Sequence, residues 1–361
     1  MRHYLDHNAT TPLRPAARAA MLKACDLTGN ASSVHAEGRA ARAALDDARE
    51  VIAHRLGVLP GMLVFTSGGS EANNLALKGA AVERLILSGI EHPSVIEAAK
   101  ASGKSVELAP VARDGVIDLD ALRIMLPGPP TLVSVMVANN ETGVIQPVRE
   151  VAEIARERGA LVHSDAVQAF GKMPLSLSVL GADLMTVSAH KVGGPAGIGA
   201  LVVRDGVALS PLIDGGGLEM RRRAGTENLA GAMGFAAAVA EPINDLKLLR
   251  NRLEAALEGT IIFGRDQPRL PNTTCFAVPG MNAETLLMGF DLDGIAVSSG
   301  SACSSGKVAR SHVLAAMGYP ADVTGAAIRV SLGWTTTEAD IDAFIAVWRR
   351  LLTRHRTRTA A

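Results

Sequence analysis

The sequence predicts an α/β protein built on a mostly parallel sheet with helices on both faces, joined to a smaller α+β unit. Three observations carry this expectation. Between about residues 60 and 204, short apolar β-branched runs alternate with stretches of helical period. Those runs are too continuously apolar for a sheet with one wet face. From about residue 241 onwards the texture changes to shorter strands and helices.

Taken in order, the strands of the first part are expected at 63–66, 84–87, 105–108, 132–138, 160–163, 183–187 and 200–203, which makes a seven-stranded sheet. Helical spacing places helices between them at 71–81, 93–101, 119–125 and 147–158. Polar clusters follow the strand ends: Ser67-Gly68-Gly69-Ser70 the first, Asn139-Asn140 the fourth, Asp165 the fifth and Ser188-Ala189-His190-Lys191 the sixth. In sheets of this kind ligands bind beyond the carboxyl ends of the strands. A long helix over 241–258 then leads to strands at 261–263, 273–278, 295–297 and 327–331, with helices at 283–290, 311–317 and 338–353. We therefore expect a large domain over 15–244 and a small one made of 1–14 with 245–361, the latter carrying a loop at about 298–308. Neither an internal repeat nor a low-complexity linker interrupts the chain.

Composition narrows the function classes. Hydrophobic residues make up 48% and charged residues 20%, so the 361-residue chain can fill a large interior rich in Ala and Val, and disorder is excluded. Lys and Arg (36) balance Asp and Glu (36), which leaves no long-range field to gather nucleic acid or anionic lipid. Cys25, Cys275 and Cys303 are odd in number and follow no metal-ligand spacing, so a reducing compartment is expected. The opening MRHYLDHNATTP has no apolar signal core, and runs such as 132–138 fall well short of the roughly 20 residues of a membrane span. A cytoplasmic protein is expected, in which the Asn8-Ala9-Thr10 sequon is accidental.

Several residues carry chemistry. Lys191 stands at a strand end in Ser-Ala-His-Lys-Val-Gly-Gly-Pro, where it is either a surface lysine in a flexible loop or a desolvated amine suited to forming a Schiff base. Asp165, in His163-Ser-Asp-Ala-Val-Gln168, is either a capping residue or the anion that the pyridinium nitrogen of pyridoxal phosphate (PLP) requires. Gln168 could then donate to the ring oxygen. Thr66-Ser-Gly-Gly-Ser70 opens a helix directly after a strand, so it serves as plain turn chemistry or as a phosphate cradle of backbone N–H groups. Ser188, His190 and the segment from Gly215 to Thr226 are further donors to such a phosphate. His92 begins Glu-His-Pro-Ser and is a half-buried helix-start residue or one that stacks on a flat cofactor. Cys303 has almost only small neighbours, from Ser298 to Gly306, and is the reactive-thiol candidate, whereas Cys275 in Thr-Cys-Phe-Ala-Val reads as buried and structural. Cys25, near a helix end, reads as inert. Arg329, on an apolar strand, seeks a carboxylate from the protein or from a substrate.

Together these segments resemble the cysteine desulfurases of the NifS/IscS kind, within the fold type I PLP-dependent enzymes. The resemblance runs nearly end to end, through Tyr4 to Pro12, Thr66 to Asn73, Glu91 to Ser94, Asn139 to Gly143, His163 to Gln168, Ser188 to Lys191, Arg223 to Thr226, Ser298 to Ser304 and Arg329 to Gly333. It implies that Lys191 binds PLP as a Schiff base, Asp165 pairs with the ring nitrogen, Gln168 bonds the ring oxygen and His92 stacks on the ring and takes part in catalysis. Gly69, Ser70, Ser188 and His190 would hold the phosphate, with Thr226 reaching it from the other subunit of a homodimer. Asn8, Asn140 and Arg329 would hold the substrate.

The implied reaction takes sulfur from L-cysteine onto Cys303 as a persulfide and releases alanine. The persulfide would pass to an acceptor protein for iron–sulfur cluster assembly or thiolation. No resident metal is implied, only a transient iron–sulfur contact of Cys303 with a scaffold partner. Two departures stand out: Ser70 replaces the Thr of many relatives while keeping the hydroxyl, and the chain ends soon after its last helix, without the tail some relatives use to dock a scaffold. The rival readings are a selenocysteine lyase or other PLP lyase or aminotransferase of the same fold, and, from another class, a non-catalytic interaction or sulfur-relay subunit.

Overall fold

The computed structural model describes residues 2–278, 280–300 and 310–360, the side chains of 356 and 358–360 excepted. The chain opens with β1 (His3–Tyr4), α1 (Pro15–Cys25) and α2 (Ala36–Leu56). The large sheet takes up β2 (Leu63–Thr66), β3 (Arg84–Ser88), β4 (Ser105–Ala109), β5 (Thr131–Ser134), β6 (Leu161–Asp165), β7 (Leu184–Ser188) and β8 (Gly199–Val203). Helices α3 (Gly69–Gly79), α4 (Pro93–Lys100), α5 (Leu119–Met125), α6 (Val148–Arg156) and the short α7 (Leu177–Leu180) lie between these strands, and α8 (Leu229–Ala240) follows them.

Strand order in this sheet is β2-β8-β7-β6-β5-β3-β4, and only β8 runs against the rest. The alternation of side chains explains why the runs had to be apolar throughout. Leu63, Phe65, Ile86, Val133, Val162 and Met185 join one core, while Val64, Leu85, Leu87, Leu132, Leu184 and Leu201 join another on the opposite face. Each such side chain, fully buried, contributes about 1.5–3 kcal/mol, so neither face can be left to water. The first core is closed by α2, α6 and α8, the second by α3 and α4.

Beyond α9 (Lys247–Ala255) come β9 (Ile261–Ile262), β10 (Thr273–Ala277), α10 (Ala283–Leu292), β11 (Ile295–Ala296), β12 (Ser298–Ser299), α11 (His312–Ala316), α12 (Ala321–Thr324), β13 (Ile328–Ser331) and α13 (Glu338–Ala360). The small antiparallel sheet has the order β12-β13-β10-β9. Its core gathers Phe276, Phe290, Phe344 and Trp348 together with Leu5 of the N-terminal arm, and β1 pairs with β11. The arm thus packs on the small core, β1 and β11 forming a two-stranded sheet of their own.

Four of the differences from expectation bear on how the chain is laid out. The helix predicted over 241–258 begins only at Lys247, because Pro242 forces Glu241 into extended backbone (ψ 150°) and ends α8. The run 132–138 leaves the ladder after Ser134: the N–H groups of Val135 and Val137 still bond β6, but that of Met136 turns to the Glu91 carboxylate at 2.7 Å. Residues 298–299, assigned to the loop, form β12 against Arg329 and Ile328. The last helix continues to Ala360, since no Gly or Pro interrupts its basic end.

Candidate active site

A cavity of 350 Å³ opens beyond the carboxyl ends of β2, β3, β5, β6 and β7, where a parallel sheet presents its loops. It is lined by Gly69, Ser70, His92, Asp165, Gln168, Ser188, His190 and Lys191 from the large sheet, by Asn8 and Asn140, and by Arg329 from β13. Every site residue expected from sequence is therefore brought together except two. Thr226 is exposed and outside the cavity, and Cys303 lies outside the described residues.

Lys191 is placed by a single 3₁₀ turn, Ala189–Lys191, directly after β7. Its Nζ donates to the carbonyl oxygens of Asn8 (2.5 Å) and Ala9 (2.7 Å) of the N-terminal arm. It is not a loop lysine in solvent. Asp165 ends β6 and is only 6% exposed; its carboxylate accepts from Asn73 Nδ2 (2.8 Å) and from the Val167 N–H (2.9 Å). Among the described residues no cation forms an ion pair with it.

At the mouth of β2, the N-cap residue Gly68 provides no side-chain cap, so the first N–H groups of α3 face the cavity beside Gly69 and Ser70. A Cβ at Gly69 would come within 3.0 Å of Val167 Cγ2, so the backbone itself forms this wall. His92 caps α4: its Nδ1 accepts from the Ser94 N–H at 3.1 Å, which leaves the ring proton on Nε2. Burial lowers the His92 pKa, while the nearby Asp165 carboxylate opposes that shift. Burial, aided by the charges of Lys191 and Lys172, pushes His190 down to about 4 and keeps it a neutral ring.

Arg329 is 1% exposed and bonds Asn140 O (3.1 Å) and Asp6 Oδ1 (2.8 Å) through its two Nη atoms. Among the described residues its Nε is buried without a hydrogen-bond partner, as is Asn140 Oδ1. A protein carboxylate thus takes one nitrogen of this arginine, which also lines the cavity. Asn139 builds the turn that presents Asn140: its Oδ1 accepts from the N–H groups of Glu141 (2.9 Å) and Thr142 (3.0 Å). Asn8 is the hub of the site. Its main-chain oxygen accepts from Lys191 and Gln168, its Oδ1 from Lys172 and Asn272, and its Nδ2 donates to Asn140 O and Thr273 Oγ1.

Several site residues escape sequence reasoning. Asn73 and Ser94 line the cavity. Glu91 is fully buried, and burial, with Asp165 beside it, raises its pKa well above the carboxylate range. Glu141 is raised to about 7 by burial, which its bond from Ser311 Oγ (2.5 Å) and the charge of Arg329 only partly offset. Lys172 follows Gln168 by four residues, a spacing that hints at contact, and indeed donates to Gln168 Oε1 at 2.7 Å. Cys275 is buried as expected, and burial raises its thiol pKa far out of reactive range. Cys25 ends α1 and is exposed.

Comparison with known proteins follows this geometry. The family profile described as aminotransferase class-V matches residues 3–344. A protein of Dictyoglomus turgidum named cysteine desulfurase IscS is 40% identical over 98% of this chain and 95% of its own. An IscS-like cysteine desulfurase of Mycobacterium tuberculosis is 41% identical over 95% of this chain and 94% of its own. Among solved structures, a NifS-like protein from Rickettsia africae superposes with a TM-score of 0.90 at 36% identity, covering 98% of this chain and all of that one.

Proposed function

The chain belongs to the class-V aminotransferase family, and from that premise we propose that it is a PLP-dependent cysteine desulfurase whose sulfur is carried on Cys303. L-cysteine is its substrate and L-alanine the carbon product. One observation carries the site reading: Lys191 and Asp165 line the same cavity, the first an amine able to condense with an aldehyde, the second a buried carboxylate without an ion-pairing cation among the described residues. The uncapped start of α3 on the same cavity suits a phosphate. A buried Arg329 Nε without a partner suits a substrate carboxylate.

When bound, PLP supplies an aldehyde that condenses with an amine and a cationic ring that takes up the electron pair left at the substrate's Cα. Lys191 would hold the coenzyme through its amine and, once released, would carry the substrate's Cα proton. Asp165 would keep the ring nitrogen protonated, Gln168 would donate to the ring oxygen and His92 would stack on the ring. Gly69, Ser70, Ser188 and His190 would hold the phosphate. Thr226, exposed on its own subunit, would reach that phosphate in a second one, the working unit being a homodimer. Asn8, Asn140 and Arg329 hold the substrate's carboxylate end, Asn8 by fixing the other two groups. The Cys303 thiolate attacks the substrate sulfur: an S–S bond forms as the C–S bond breaks, and the bonding pair passes to carbon, which takes up a proton.

The described residues on either side of the Cys303 segment support its reach. Gly300 and Ser311 are both buried beside Glu141, next in sequence to the cavity residue Asn140. Three residues of chain from Gly300 span up to roughly 10 Å. We divide the chain into a large domain, 15–244, and a small one, 1–14 with 245–361; the core around Trp348 draws only on Leu5 and on residues from Leu246 onwards. No helix among the described residues is long and apolar enough to cross a membrane. We place the protein in the cytoplasm, where a reactive thiol persists, and its persulfide with an acceptor protein of iron–sulfur assembly or thiolation.

The test is to incubate PLP-loaded protein with L-cysteine, quantify alanine and look by mass spectrometry for one added sulfur on the Cys303 peptide. Cys303→Ala protein should keep its visible cofactor band and form no persulfide. Undiminished alanine release and sulfur transfer by that variant would remove Cys303 from the reaction, and pyruvate in place of alanine would remove the reaction itself.

A further inference from the structure

Lys172 is a second half-buried lysine at the site, on the turn after β6 and behind Gln168. Its Nζ donates to Asn8 Oδ1 at 2.8 Å and to Gln168 Oε1 at 2.7 Å. Both acceptors are neutral amide oxygens, and among the described residues no carboxylate forms an ion pair with it. Lys191 is bonded to the main-chain oxygen of the same Asn8, so one residue holds both amines. Gln168, which Lys172 holds by its oxygen, returns its own Nε2 to that main-chain oxygen at 3.0 Å. Among the described residues the remaining charged or titratable groups that face Lys172 are Arg329 on β13, His7 on the arm and His190 beside Lys191; none of these is an anion.

A buried ammonium group without a counter-ion is costly, and two amines close together cannot both carry a proton cheaply. Burial and the positive charges of Lys191 and Arg329 lower the Lys172 pKa, and Lys172 acts on Lys191 by the same repulsion, so the pair holds one proton more readily than two. Condensation of an amine with an aldehyde needs the nitrogen lone pair: nitrogen loses its protons as the C–N bond forms, and the carbonyl oxygen leaves as water. A neighbouring cation that discourages charge on the reacting amine therefore speeds that condensation at neutral pH.

We propose that Lys172 is a positioning residue for the coenzyme-binding lysine: it fixes Gln168 and Asn8 by hydrogen bonds and, as a competing site for the one proton the two amines readily hold, favours the uncharged amine of Lys191. The proposal rests on the PLP reading above and adds to it a residue that touches neither coenzyme nor substrate. It also separates two effects of one side chain, since the hydrogen bonds act at every pH and the charge only across the titration of Lys191.

The experiment follows PLP uptake by the cofactor-stripped full-length chain, read from the visible band at fixed PLP concentration as a function of pH. Lys172→Gln and Lys172→Met, which remove the charge with and without a polar end, should each move the midpoint of uptake upward by about 1 pH unit or more. Lys172→Arg should keep the wild-type midpoint, whatever it does to the amplitude. Uptake weakened equally at all pH values with an unmoved midpoint in the Gln and Met variants would leave Lys172 merely structural and overturn the proposal. A wild-type chain that takes up no PLP would overturn the site reading and this inference together, so the two failures are distinguishable.

Discussion

Arg329 separates recognition from chemistry at the scale of single residues. Leaving its Nε unpaired in the interior costs about 1–3 kcal/mol, which a bound carboxylate relieves. Arg329→Lys keeps a charge for Asp6 but loses the planar fork, so KM for cysteine should rise about tenfold or more with a smaller change in kcat, measured as alanine release. Lys191→Ala should have the converse signature: alanine formation down by about 10²–10⁴-fold, while the phosphate cradle at α3 still retains PLP noncovalently. Residues such as Lys191, Asp165 and Arg329 were legible because each breaks a local pattern, a polar group within or just after an apolar strand. Asn73 was not. It sits inside an ordinary helix start, and its partner Asp165 is 92 positions away, a distance no local pattern encodes.

Between residue and fold lies the turn Glu219–Arg221, in which Glu219, Met220 and Arg221 all adopt positive φ (46°, 54° and 62°). Left-handed backbone costs a non-glycine residue about 1–2 kcal/mol, so three in a row need an anchor. Glu219 supplies it: its carboxylate accepts two bonds from Arg49 of α2 (2.7 and 2.8 Å) and one from the Phe65 N–H. Glu219→Gln would leave the Arg49 charge buried without its anion and should lower stability by about 3–5 kcal/mol in denaturant titration. Helix packing makes a second demand at Gly234, where a Cβ would fall 2.7 Å from Met21 of α1; Gly234→Val should destabilise by about 1–3 kcal/mol through overpacking. The strands were read nearly to their ends because burial on both faces writes itself as an unbroken apolar run. Helix α2 escaped since small Ala residues share its inner stripe of Ala41, Leu45, Ala48, Ile52 and Leu56, and α8 because it is apolar all round and shows no stripe.

For the whole molecule, pH acts through buried imidazoles. Burial pushes His7, His163 and His190 down to about 4, against an ordinary 6.5 when unfolded. Their contribution to stability is complete above pH 6.5 and is lost as pH falls toward 4. Glu91 and Glu141, raised by burial, work the other way and lose their contribution as pH rises. The histidines outnumber them, so the denaturation midpoint should drop between pH 6.5 and 4.5. His163→Gln should flatten that drop by up to about 1.4 kcal/mol per pH unit. Subunit exchange tests Thr226: a mixture of Lys191→Ala and Thr226→Ala chains should bind PLP better than either alone, since one site of the mixed dimer has both groups. The single reversed strand, β8, has a consequence for how the lysine is mounted. Because β7 and β8 run antiparallel, the chain returns at once instead of crossing the sheet through a helix, and the Ala189 N–H bonds the Ile198 carbonyl at 3.2 Å. The amine therefore hangs from a short clasp fastened at both ends, not from a tether fixed at one. Gly199, at the far end of the clasp, leaves no room for a Cβ against Gly68 (2.9 Å to its Cα), so the mount and the anion cradle move as one rigid fitting.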